Sequence, residues 1–110
     1  MSSSTTTRHQ LAASPDTCHW GYLDAAQPAV LEVGSGDAVA IEAITHHAGD
    51  APDLLMDDGI RAIWDGIAPE ERSPGVHIMT GPIAVRDARA GDTLRVDIAS
   101  MTPRLPHGSN

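Results

Sequence analysis

The chain has 110 residues and a formal net charge of −8, with two Trp, one Tyr, no Phe and a single cysteine. The acidic balance argues against DNA or RNA as a partner, because binding phosphates needs a basic face. The lone Cys18 excludes an internal disulfide and any cysteine-cluster metal site.

No apolar stretch is long enough to cross a membrane, and the N-terminus lacks the basic-then-apolar shape of a signal peptide. The expected location is therefore cytoplasmic, with no membrane partner. A domain of this length buries roughly two-thirds of its unfolded surface. With so few aromatics, its core must come from Val, Ile, Leu, Ala and Met. The chain thus reads as one piece of a larger fold or tight complex.

Residues 1–13 are expected to be a flexible N-terminal arm, and 14–110 the folded body. Met1 to Thr7 is polar and of low complexity, and has too little to bury to offset its ordering entropy. A strand is expected to begin within Arg8 to Ala13. Cys18-His19-Trp20-Gly21-Tyr22 is the first dense patch. It has two readings: His19 or Trp20 stands at the edge of a pocket, or the segment is an edge strand whose Trp20 covers the core.

Val30, Leu31 and Val33 predict a short strand, and Gly34-Ser35-Gly36-Asp37 a hairpin-type turn. Val39, Ile41 and Ala43 alternate with Ala40 and Glu42 as a further strand. Gly36-Asp37-x-Val39-x-Ile41 is echoed by Gly91-Asp92-x-Leu94-x-Val96. These Gly-Asp pairs read as turn chemistry, with the glycine supplying positive φ and the aspartate binding turn amides.

Thr45-His46-His47-Ala48-Gly49-Asp50 follows at a strand end, a common address for reacting groups. If the strand persists, His47 faces inward and His46 outward. An imidazole with a carboxylate three residues on suits metal ligation, or a base with its orienter. By spacing alone, two solvent-facing histidines in a turn are the favoured reading.

Pro52 to Ile67 is the helical segment, with Asp50 expected as its cap and Pro52 in its first turn. Ile60, Ile63, Trp64 and Ile67 recur at i, i+3, i+4 and i+7, the spacing of a buried stripe. Asp57-Asp58 reads as a solvated helix face or a metal pair. Pro69 to Pro74 is a charged loop. His77 stands just before Thr80-Gly81-Pro82, either as a reactive group or as a histidine satisfied by backbone. Ile83 and Val85 alternate as a strand. After Ala90-Gly91-Asp92, Leu94, Val96 and Ile98 predict another with a distinct inside and outside. Met101 to Asn110 leaves it through Pro103 and Pro106. The whole predicts a mainly β fold: an antiparallel β-sandwich with one helical insertion, completed by a partner chain or a missing C-terminal part.

Four ordered pieces carry a resemblance. They are His19-Trp20-Gly21; Pro28 to Asp37 (PAVLEVGSGD); Ile44 to Asp50 (ITHHAGD); and His77 to Ile83 (HIMTGPI) with Ala90 to Val96 (AGDTLRV). Together they resemble the acetamidase/formamidase family over about Cys18 to Asn110. Its members are longer, so this chain resembles their N-terminal part. The resemblance implies an amidase, cleaving the C–N bond of small carboxamides such as formamide or acetamide. His47, Asp50 and His77 would be catalytic, or would hold a divalent metal such as zinc. His46, Trp20 and Thr80 would contact substrate. A second, larger chain would carry the rest of the fold in an oligomer. Self-cleavage after Asn110 is one expectation for how two chains would arise, beside a split gene or a two-subunit enzyme. The rival from another class is a non-catalytic β-domain that completes a partner's pocket or oligomer interface.

Overall fold

The structure is a computed structural model, and it describes residues 6–44, 57–75 and 77–104. Among the described residues there are six short strands and one helix. In order they are β1 (Arg8–Leu11), β2 (Cys18–Trp20), β3 (Leu31–Val33), β4 (Ala38–Ile41), α1 (Asp58–Gly66), β5 (Ile78–Thr80) and β6 (Ile83–Val85), with one 3-10 turn at Pro69–Glu71. The fold is mainly β among the described residues, and β1 forms where a strand was expected after Thr7.

The strands form three two-stranded ladders. β1 pairs with β4 in parallel, β2 with β5 antiparallel, and β3 with β6 in parallel. This corrects the antiparallel expectation for two ladders of three. Three separate pairs also do not make a closed sandwich among the described residues.

The Gly34–Asp37 turn forms, but it is not a hairpin, because its flanking strands pair elsewhere. The reason lies in Asp37. Its carboxylate accepts the amides of Gly34 at 2.8 Å and Thr7 at 3.3 Å and bonds the His9 ring at 3.0 Å. The turn is thereby tethered to β1, which draws β4 alongside β1 instead of back along β3. Leu94 to Ile98 enters no ladder among the described residues, and its apolar row is exposed.

The core forms where α1 meets the β2–β5 ladder. Ile60, Ile63 and Ile67 from the expected stripe pack with Cys18 and Trp20, flanked by Ala13, Ile44, Trp64 and Ile78. Burying each isoleucine stabilises the fold by about 1.5–3 kcal/mol. Arg72 seals this cluster. Its guanidinium lies 4.6 Å from the Trp20 ring centre and 4.2 Å from that of Trp64. It also donates to the Trp64 and Ile67 carbonyls at the C-terminal end of α1. A cation there meets the negative end of the helix dipole and two aromatic faces at once.

Asp57, not Asp50, caps α1. Its Oδ1 accepts the Ile60 amide at 2.8 Å, a carboxylate satisfying one of the free amides of the first turn. The same carboxylate takes a two-pronged contact from Arg104, which also reaches Glu42 at 2.8 Å. One arginine therefore joins the helix start to the end of β4. An added Cβ on Gly59 would stand 2.5 Å from the Arg104 guanidinium, so a side chain there would displace the tip of that arginine.

Candidate functional site

The β2–β5 ladder pairs Cys18 with Thr80, His19 with Met79 and Trp20 with Ile78. Strand alternation then separates two faces. Cys18 and Trp20 turn into the core, while His19 turns away from it. On His19's side lies an open groove of about 440 Å³, lined by His19, Leu23, Asp24, Ala25 and Gln27 on one flank and by Met79 to Pro82 on the other. Leu23 is exposed and gives the groove an apolar rim.

Both flanks are held by backbone. In the first, Asp24 accepts the amides of Ala26 (side chain) and Gln27 (main chain), fixing a local turn. In the second, Thr80-Gly81-Pro82 joins three segments. The Thr80 hydroxyl donates to the Glu42 carbonyl at 2.7 Å, the Gly81 amide donates to Thr17, and the Pro82 carbonyl accepts the Val30 amide. Gly81 has φ of 139° and Gly21 has φ of 84°. At Gly21 any side chain would also collide with Ser73, so the loop carrying Ser73 can approach β2 only over a glycine.

His19 is the chemically open group. Its Nδ1 is buried and has no hydrogen-bond partner among the described residues. Buried polar atoms are normally paired, and an unpaired one costs about 1–3 kcal/mol.

The expected site residues divide as follows. Thr80 lines the groove, although its hydroxyl is already committed to Glu42. Trp20 is buried, with its indole N–H donating to the Gly75 carbonyl at 2.8 Å and its ring against Trp64. His77 is exposed next to β5 and outside the groove lining. His46, His47, Asp50 and Asn110 lie outside the described residues. The zinc set expected at His47, Asp50 and His77 therefore has one described member. Among the described residues, no three His, Cys, Asp or Glu side chains come together as a metal site would require. Sequence reasoning left His19 and Trp20 as alternatives for the pocket edge, and the lining takes His19. The deciding signal was present: Cys18 and Trp20 share one parity and His19 has the other. The contribution of Leu23 to Gln27 had no comparable signal.

Neither a scan of protein-family models nor a search of curated proteins returns a match for this chain.

Proposed function

We propose that this chain carries part of a hydrolase site for small carboxamides of the formamide or acetamide type, giving a carboxylate and ammonia or an amine. One observation carries the reading. Two of the resembling motif pieces, His19-Trp20-Gly21 and His77 to Pro82, are about 60 residues apart, and the β2–β5 register lays them side by side with the groove at their junction. The groove's volume also falls within the range of small-molecule sites, about 300–1,000 Å³.

In this reading His19 bonds the bound amide from the groove wall. Amide hydrolysis further requires an activated nucleophile and stabilisation of the oxyanion. His47, Asp50 and His77 are the groups the resemblance offers for acid–base chemistry, or they would hold a zinc ion, whose chemistry would be the activation of a water; His77 itself stands beside β5, outside the groove lining. His46 and Thr80 flank the substrate. A larger second chain completes the fold and supplies the remaining catalytic groups. The open edges of three two-stranded ladders favour such a partner, since isolated ladders of this size are marginal. The same edges also favour the second reading, an accessory β-domain that completes a partner's pocket.

The two readings differ in what the chain binds alone. Titrating acetamide into the protein, with the histidine ring resonances followed by NMR, is expected to shift His19 saturably. His19→Gln is expected to weaken that binding about tenfold, the cost of one buried hydrogen bond. Absence of any saturable shift at His19 would leave the accessory reading in place of the hydrolase.

A further inference from the structure

Residues 94–98 form a short alternating segment that no ladder covers among the described residues. Leu94, Val96 and Ile98 are 71%, 70% and 73% exposed. Arg95 and Asp97 pair with each other at 3.1 Å, so both project to one side, as alternate residues of extended backbone do. The segment therefore presents an apolar row on one side, one positive and one negative charge on the other, and unpaired backbone groups along its edge.

We propose that this segment is a self-complementary edge at which two copies of the chain pair antiparallel. The register is dictated by the side chains. Centred on Val96, the pairing sets Leu94 against Ile98, Arg95 against Asp97 and Val96 against its own copy. Every apolar residue then meets an apolar residue, and each charge meets its opposite, in two Arg95–Asp97 pairs. Other registers fail. A shift of one residue sets the apolar row against the charges. A shift of two in either direction sets Arg95 on Arg95 or Asp97 on Asp97. Parallel in-register pairing does both at once. Like charges directly opposite one another destabilise a ladder, while opposite charges and matched apolar residues stabilise it. A two-fold axis through the Val96 pair generates this arrangement from a single sequence, as an isologous interface requires. The charge pattern thus selects a second copy as the occupant of this edge. The inference is independent of the hydrolase reading.

A charge-swap series tests it by sedimentation over a concentration series. The wild-type chain is expected to dimerise reversibly. Asp97→Arg turns two attractive pairs repulsive and is expected to weaken the dimer about tenfold. Arg95→Asp combined with Asp97→Arg restores opposite charges in the same register and is expected to recover wild-type association. Cross-linking gives a second readout that does not depend on the charge variants. Val96→Cys is expected to oxidise to a covalent dimer, because facing Cα atoms in such a ladder lie within disulfide range. Ala99→Cys, far from its own copy in this register, is expected not to. A wild-type chain that stays monomeric at every concentration would overturn the proposal. So would a double variant no better than Asp97→Arg, or a Val96→Cys variant that does not cross-link.

Discussion

Asp57 shows how much one side chain can be asked to do. It caps α1, and through Arg104 it ties the helix start to Glu42. The Arg104 guanidinium bonds hold its carboxyl below the ordinary value of 3.8, assisted by the Ile60 amide against partial burial. Asp57→Ala is expected to cost about 1–2 kcal/mol in urea unfolding at neutral pH, most of it from the cap. Asp57→Asn retains a capping oxygen and is expected to cost less. Because the folded pKa is depressed, the charge-dependent part is present above pH 3.8 and is lost as pH falls through the folded value. The wild-type advantage over Asp57→Asn is therefore expected to shrink in acid; an advantage that grew in acid would contradict the pairing. The sequence made Asp57 visible only as half of an Asp-Asp pair. Its partner is 47 residues away, and no local pattern signals such a contact.

At the scale of elements, legibility followed local chemistry. The α1 stripe was readable because helical spacing alone groups Ile60, Ile63 and Ile67, and all three are buried. Ile63→Ala is expected to destabilise the protein by about 2–5 kcal/mol by thermal or urea unfolding, the cost of a cavity under α1. A loss below about 0.5 kcal/mol would mean that α1 does not pack on β2 and β5 as described. The Gly-Asp echo was readable for the same reason. Asp37 accepts the Gly34 amide and Asp92 accepts the Arg89 amide, each three residues back, while the preceding glycines hold positive φ. Strand pairing was not readable. A turn signal specifies a reversal, but it does not say which strand the returning chain joins. That choice was made by His9 and Thr7 acting on Asp37. Within the groove, alternation along β2 distinguished His19 from Trp20. The Leu23–Gln27 flank depends on a loop whose position no periodicity encodes.

At the scale of the whole molecule, the chain joins a small apolar core to edges that remain open. Seven apolar residues are buried among those described, and eight large ones are exposed. None of the helices described is long and apolar enough to cross a membrane. The edge at Leu94 to Ile98 is the one proposed to take a second copy, and a larger partner is proposed for the remaining ladder edges. A groove floored by the β2–β5 ladder and held by the Thr80-Gly81-Pro82 junction is the part we propose to position a small substrate. The most direct test is ammonia release from formamide and acetamide by the native protein, purified with every chain that accompanies it, beside the same preparation carrying His19→Gln. The account predicts hydrolysis by the wild type and a loss of about tenfold or more in kcat/KM for the variant, with an unchanged circular dichroism spectrum. No ammonia from either amide, or hydrolysis unaffected by the substitution, would contradict it.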